Sequence, residues 1–152
     1  MPGLRTSKPL PVNFVTFSVE ETDTFSDLQD FIFDWTKRSN SDSIVVGVIR
    51  TGAIAGLVEY ERRPESQANY MWLIEVSDTQ RGSTVAGELL AYVGRDSLVQ
   101  GFEGFFFFEP KTALYQFYQS KYGAKPATGR YLFFDTEATE ALIAKYLPNE
   151  GE

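Results

Sequence analysis

The sequence predicts a single α/β domain, a mixed and mostly antiparallel sheet flanked by helices in the order β-α-β-β-β-α-β-α-β-α. Three observations support this fold class. A length of 152 residues suits one domain with a buried core. Apolar stretches of strand length alternate with stretches in which apolar residues recur at helical spacing. The run Phe105–Phe108 is apolar on both faces, which indicates a central strand with a parallel neighbour.

The N-terminal part is predicted to hold a leader, a strand and a helix. Residues 1–11 contain three prolines and little pattern, so we expect a loose leader before a domain at 12–152. Alternating β-branched and aromatic residues at 12–19 predict the first strand. A capping box of Ser26 with Gln29 indicates a helix start. The apolar residues of that helix recur at helical spacing: Phe25, Leu28, Ile32 and Trp35.

The middle of the chain is predicted to hold three strands and a long helix. Residues 43–50 and 54–62 are separated by a tight turn, which predicts an antiparallel hairpin. Residues 69–77 predict a fourth strand after a polar loop. A helix at 84–100 follows, and Gly101 is a stop signal for it. Its inward-facing residues are Val85, Leu89, Tyr92 and Val93.

The remaining elements follow the phenylalanine run. They are a short aromatic helix at 111–123, a strand at 129–135 and a last helix at 136–147. Asp135 or Thr136 can cap the last helix, because their side-chain oxygens can accept from its first amides.

The composition excludes several classes of chemistry. The chain has no Cys, so it forms no disulfide and has no thiol nucleophile. It has no His, which excludes Ser-His-Asp hydrolysis and Cys/His zinc sites, and we expect no metal centre. Any proton transfer therefore depends on Glu, Asp, Tyr, Lys, the backbone or water.

Charge and hydropathy indicate which partners the protein can bind and in which compartment it is expected. A net charge of −7 argues against nucleic-acid binding and suits a cationic partner, although it also serves solubility. No run approaches the roughly 20 apolar residues of a membrane helix, and no secretion signal is recognisable, so we expect no membrane association. The absence of Cys is consistent with the cytoplasm.

The segment Gln80–Leu90 carries the clearest functional signal. Directly after a buried strand, the chain passes through an arginine, a glycine and small or hydroxylated residues and then enters a helix. The first amides of a helix have no partner within it and lie at the positive end of its dipole, so such a turn can bind an anion. The other interpretation is that the turn only connects the strand to the helix and binds nothing.

Two sequence blocks resemble the GNAT family of N-acetyltransferases. "LIEVSDTQRGSTVAGELL" (73–90) is similar to the acyl-CoA-binding motif of that family, and "ALYQFYQSKYGAKP" (113–126) is similar to its later helix. One helix and one apolar strand separate the blocks, as in the family. The resemblance implies a GNAT-like domain that uses acetyl-CoA or another acyl-CoA.

The resemblance also implies which residues bind this cofactor. The pantetheine arm would insert between strands 69–77 and 104–109 and bond to backbone groups of Ile74 and Val76. The pyrophosphate would lie on the amides of the helix start: Arg81, Gly82, Ser83, Thr84, Val85, Ala86 and Gly87. Thr84 stands where the family usually has glycine, and Lys111 where many relatives have asparagine. The β-branched side chain of Thr84 could obstruct a phosphate, or its hydroxyl could instead donate a hydrogen bond to the phosphate.

Two residues are the predicted catalytic groups. Tyr118 matches the family's tyrosine, the proton donor to the departing thiolate, although Gly123 follows it by five residues instead of the usual four. Tyr115 and Tyr122 are rivals for this role, and Phe117 is interpreted as helix packing. Glu75, in an otherwise apolar strand, is the candidate base, unless strand alternation directs it to solvent.

Other charged residues have two interpretations each. Glu59 and Glu61 could line a pocket for a cationic substrate or form a solvated face. Four cations could neutralise the phosphates of CoA or be ordinary helix-end charges: Arg81, Lys111, Lys121 and Lys125.

The leading hypothesis is an acyl-CoA-dependent N-acyltransferase in which a primary amine attacks the thioester directly in a ternary complex. The alternative is a catalytically weak or inactive protein of the same fold that binds CoA or a protein partner. A third is a structural module whose aromatic surface forms a homodimer. The amine acceptor is not encoded in any readable motif.

Overall fold

The computed structural model describes residues 11–25, 28 and 30–148. The predicted leader lies outside these residues except for Pro11, and so do Ser26 and Gln29. The strands are β1 (Phe14–Phe17), β2 (Ile44–Arg50), β3 (Ala53–Arg63), β4 (Ala68–Val76), β5 (Phe106–Phe108), β6 (Lys125–Pro126) and β7 (Leu132–Phe134). The helices are α1 (Val19–Thr22), α2 (Val85–Val99), α3 (Tyr115–Tyr122) and α4 (Thr136–Tyr146).

The strands form one seven-stranded sheet in the order β1-β2-β3-β4-β5-β7-β6. Every neighbouring pair is antiparallel except β4 and β5, which are parallel. The predicted fold class is thereby confirmed, including the parallel neighbour of the phenylalanine run. The two-residue strand β6 was not predicted.

The predicted hairpin and the last helix cap are also present. Thr51 and Gly52 connect β2 to β3, and both have positive φ (51° and 80°), as a type I′ hairpin turn requires. Asp135 caps α4, because its carboxylate accepts from the Ala138 amide at 2.9 Å.

The main core lies between the sheet and the two helices α2 and α4. Val85, Leu89 and Val93 of α2 are fully buried there, as predicted, and Tyr92 is half-buried. From the sheet, Phe106 and Phe134 stack in this core with their ring centroids 4.5 Å apart.

The helix predicted around residues 25–38 is wrong for the part of this range that the structure describes, 25, 28 and 30–38. The helix that forms is the single turn α1, which begins with a capping box of Ser18 and Glu21. Among the described residues, 30–38 form turns and bends, although Trp35 is buried in a second core cluster with Val45 and Leu57. The apolar spacing therefore marked three residues of this cluster, Phe25, Leu28 and Trp35, whereas Ile32 is 80% exposed, and it did not reveal the backbone conformation.

Side-chain acceptors explain why residues 32–36 are not helical. The amides of Ile32 and Phe33 donate to the carboxylate of Glu75 on β4, at 2.6 and 3.1 Å. The Thr36 amide donates to the Asp34 side chain at 3.1 Å, a local bond that competes with helix formation.

Candidate functional site

A cleft of about 620 Å³ opens where β4 and β5 diverge. The two strands pair only at Asn69 with Phe106 and at Tyr70 with Phe107. Beyond this point β4 continues to Val76 with β3 as its only neighbouring strand in the described part of the chain. A register shift between β3 and β4 falls at the same level, and such bulges bend a strand.

The backbone groups of Ile74 and Val76 face this cleft. The Ser77 amide donates to the Ala55 carbonyl of β3 at 2.8 Å. Successive residues of a strand direct their N–H and C=O groups to opposite edges, so Glu75 shares the direction of Ser77, and Ile74 and Val76 have the opposite one. These are the two positions that the resemblance implies for the pantetheine arm.

A row of open amides lies at the outer end of the cleft. A short 3₁₀ turn, Asp78–Gln80, leads into Gly82, whose φ of +82° favours glycine. The Glu88 amide donates to the Thr84 carbonyl at 3.0 Å and so closes the first turn of α2. Among the described residues, none accepts from the amides of Gly82, Ala86 or Gly87. Their N–H groups and the helix dipole together favour an anion.

The predicted cofactor-binding residues divide into two groups. The group that lines the cleft consists of Ile74, Val76, Arg81, Gly82, Ser83 and Ala86. Thr84, Val85 and Gly87 are not in its lining. The Val85 side chain is fully buried in the core, and a Cβ at Gly87 would lie 2.4 Å from the Tyr146 ring. Val85 and Gly87 can therefore offer only their backbone.

The Thr84 hydroxyl is engaged within the protein. It donates to the Glu88 carboxylate at 2.7 Å, and the Arg50 guanidinium donates to the same carboxylate at 2.6 Å. Glu88 is buried, whereas Arg50 is about one-third exposed. With the hydroxyl held by Glu88, both interpretations of Thr84, obstruction of a phosphate by the side chain or donation to it by the hydroxyl, stay predictions.

Tyr118 lines the cleft from α3, and its ring packs edge-on against Phe108 of β5 at 4.9 Å. Burial, with a smaller contribution from Tyr122, raises the pKa of Tyr118 to about 12. The phenol is therefore protonated at neutral pH and can donate a hydrogen bond. No described residue forms a hydrogen bond with its hydroxyl.

The neighbouring aromatic residues of α3 differ in position. Tyr122 lines the cleft, and burial raises its pKa to about 12 as well. Tyr115 packs against the main core and is not in the cleft lining. Phe117, interpreted from the sequence as packing, is 45% exposed and lines the cleft. Phe117 is better described as part of the cleft wall than as core.

Glu75 lines the cleft with its carboxylate occupied by three donors. Besides the amides of Ile32 and Phe33, the Trp35 indole N–H donates to it at 2.8 Å. These bonds make Ile32 and Phe33 a wall of the cleft, which the sequence did not reveal, because the wall depends on a contact across 43 positions. An ionised carboxylate has about four acceptor sites, so the role of Glu75 as a base stays a prediction.

Glu59 and Glu61 form neither a solvated face nor an open pocket. Both are buried on β3 and bind a loop. Glu59 accepts from the Ser39 amide at 2.6 Å and the Ser43 hydroxyl at 2.5 Å. Glu61 accepts from Asn40 at 2.7 Å, with Arg63 and Trp72 as further donors.

Three of the four predicted cations line the cleft: Arg81, Lys111 and Lys121. Arg81 is paired with Asp78 at 3.1 Å, and both side chains are exposed. The Lys111 ammonium lies 5.0 Å from the centre of the Phe33 ring. Lys125 instead forms an ion pair with Asp135 and is not in the lining.

The described residues contain no cluster of three Asp or Glu side chains suited to a metal ion. None of the described helices is long and apolar enough to cross a membrane.

No protein-family model and no curated protein matches this sequence. Solved structures do match it. AtaTR bound with AcCoA is 18% identical, with a TM-score of 0.64 over 88% of this chain and 98% of that one. An acetyltransferase of the GNAT family from Staphylococcus aureus Mu50 is 13% identical, with a TM-score of 0.58 over 82% and 99%.

A third solved structure is YhhK from E. coli bound to coenzyme A. It is 10% identical, with a TM-score of 0.58 over 81% of this chain and 98% of that one. At such identities the likeness establishes the fold alone. The chain has the fold of the GNAT acetyltransferases.

Proposed function

We propose that the protein is an acyl-CoA-dependent N-acyltransferase that transfers an acyl group, acetyl by default, to a primary amine. The observation that carries the proposal is the cleft between β4 and β5, which ends on the open amides before α2. A gap with free strand edges on one side and an anion site at its end suits a long amide-containing arm that carries a diphosphate. The AcCoA and CoA bound in two structural neighbours support the same ligand class.

Each part of the cleft has a role in this proposal. The amides of Gly82, Ala86 and Gly87 bind the diphosphate. The backbone of Ile74 and Val76 bonds to the amides of the pantetheine arm, as a neighbouring strand would. Three cleft cations in a chain of net charge −7 offset part of the ligand's negative charge: Arg81, Lys111 and Lys121.

The transfer itself needs little chemistry from side chains. The lone pair of the neutral amine attacks the thioester carbonyl carbon, the C–S bond breaks, and the nitrogen loses a proton. Tyr118 donates a hydrogen bond or its proton to the thiolate sulfur. Holding the amine and the thioester together supplies much of the acceleration.

The proton from nitrogen requires an acceptor, and Glu75 is the candidate that the sequence indicates. Its engagement with three donors favours the second candidate function, a protein of this fold that binds CoA or a partner with little catalysis. The two functions differ in whether free thiol is released.

The first experiment measures CoA and acetyl-CoA binding by calorimetry and thermal shift. Acetyl-CoA at 100 times its dissociation constant should add about 2.7 kcal/mol to the free energy of unfolding. An amine panel is then screened for thiol release, and because the chain has no Cys, all of the thiol signal comes from CoA. Binding without thiol release would favour the second function. No binding would refute the proposed function and leave only the partner-binding form of the second.

A charge variant tests the anion site. Ala86→Asp places a carboxylate among the open amides, where the helix dipole favours it, so the fold is retained. We expect at least about a tenfold loss of acetyl-CoA affinity from charge repulsion. Ala86→Asn is the matched control, since it has the same shape without the charge. Equal affinity of the two variants would contradict the assignment.

A further inference from the structure

A second cavity of about 150 Å³ continues the cleft at its inner end. Both cavities are bordered by Phe33, Ile74, Lys111, Leu114 and Tyr118. The inner cavity alone reaches the part of β4 where β5 begins to diverge. The side chains that only the inner cavity contacts include Met71, Trp72, Leu73 and Phe108.

The order of groups along β4 indicates what the inner cavity faces. The open amides lie beyond the Val76 end of the strand, then come the edge groups of Val76 and Ile74, and Met71 and Leu73 are deepest. A ligand whose diphosphate lies on the amides therefore extends its opposite end toward the inner cavity. Tyr118 borders both cavities, so a thioester beside its hydroxyl carries its acyl group into the inner one.

The lining of the inner cavity suits an apolar group. Met71 and Phe108 are buried, and Trp72 and Leu73 are half-buried. Its two charged residues, Glu109 and Lys111, are exposed. Glu109 is paired with Arg130 at 3.0 Å, and Lys111 lies over the Phe33 ring.

We propose that the inner cavity is an acyl-chain pocket, which makes donors with four to six acyl carbons better ligands than acetyl-CoA. The inference rests on the proposed function and specifies its substrate. An apolar cavity of about 150 Å³ is known to hold a benzene molecule, which has six carbons. An acetyl group would leave most of the volume of this cavity unfilled.

The experiment compares the dissociation constants of CoA, acetyl-, butyryl-, hexanoyl- and octanoyl-CoA by calorimetry. Each methylene that enters an apolar site should tighten binding by up to about fourfold. We expect affinity to rise from acetyl to hexanoyl and to stop rising at octanoyl, when the cavity is full. Kinetics with the amine acceptor should show the same optimum in kcat/KM for the donor.

Two variants of Leu73 change the cavity in opposite directions. Leu73→Phe reduces the volume and should move the optimum to acetyl or butyryl. Leu73→Ala enlarges it and should move the optimum to octanoyl, a gain that misfolding cannot produce. Leu98→Ala is the matched control, because Leu98 is half-buried on α2 and borders neither cavity.

The outcomes separate this inference from the proposed function. If CoA binds and affinity is the same from acetyl to hexanoyl, the acyl pocket is refuted while the proposed function stands. If the Leu73 variants change KM for the amine but not for the donor, the cavity belongs to the acceptor and the inference is wrong. If CoA does not bind, both are overturned.

Discussion

Substitution of Glu75 distinguishes a structural anchor from a catalytic base. Its carboxylate holds the amides of Ile32 and Phe33 and the indole N–H of Trp35. We expect Glu75→Gln to act mainly on stability and on the shape of the cleft. This expectation follows from the hydrogen bonds, since Glu75 holds residues 32–35 against β4.

The magnitude follows from the three bonds. In Glu75→Gln the side-chain amide oxygen can still accept from Phe33 and Trp35, but the new NH₂ group faces the donor of Ile32. Hydrogen bonds to charged groups contribute about 1.5–3 kcal/mol each, and water can reach the exposed Ile32 amide, so we expect a loss of about 1–2 kcal/mol. Glu75→Ala also leaves the indole N–H of buried Trp35 without its partner, for a total of about 3 kcal/mol.

Thermal unfolding, denaturant unfolding and kinetics together provide the assay. At about 2–4 °C per kcal/mol for a domain of this size, Glu75→Ala should lower Tm by roughly 6–12 °C. A double-mutant cycle with Trp35→Phe, which removes the N–H and keeps a ring, should give a coupling of at least about 0.5 kcal/mol. The kcat-against-pH profile of Glu75→Gln should keep its shape. A variant that is as stable as the parent but has lost kcat would refute the anchor and establish the base.

Three further predictions concern α2 and α3. Tyr118→Phe should lower kcat by about 100-fold, the lower end of the usual range for proton donors, with little change in the KM of acyl-CoA. Because the pKa of Tyr118 is raised to about 12, its neutral donor form persists, and the parent should show no loss of rate near pH 10 from this group. Glu88→Ala should weaken acetyl-CoA binding several-fold because it removes the acceptor that holds the Thr84 hydroxyl, and Thr84→Gly should restore it in the double variant; calorimetry checks both. Gly87→Ala should lower the free energy of unfolding by about 1 kcal/mol, since contact with the Tyr146 ring outweighs the helix gain, as denaturant unfolding would show.

Periodicity was sufficient for the elements that pack on the sheet by regular alternation. In β2, β3 and α2 the apolar residues recur within a short stretch of sequence. The positions of these elements were therefore predicted to within one or two residues. The prediction for residues 25–38 failed because their apolar spacing fits a helix, whereas the amides of Ile32 and Phe33 donate to Glu75 on β4. A single-sequence pattern cannot reveal a bond to a residue some 40 positions away.

In the candidate site, too, features with a local sequence signal were predictable and features that depend on distant contacts were not. Gly82 and the helix start could be predicted because turn chemistry is local. The roles of Glu59 and Glu61 could not, because a carboxylate on a strand looks the same whether it faces solvent or binds a buried loop. The inner cavity also escaped prediction, since its lining comes from β4, β5 and the segments around Phe33 and Leu114.

The irregular segment and the proposed function are physically connected. A regular helix at residues 25–38 would engage the amides of Ile32 and Phe33 within itself and would leave the Glu75 carboxylate without these two donors. In the observed arrangement the carboxylate fixes Ile32 and Phe33 at the cleft, and Phe33 borders both cavities. These bonds therefore hold one wall of the cleft in place, including the Phe33 side chain that borders the inner cavity. For this reason a loss of Glu75 should alter acyl-chain preference as well as stability, whereas a residue acting only as a base would alter neither.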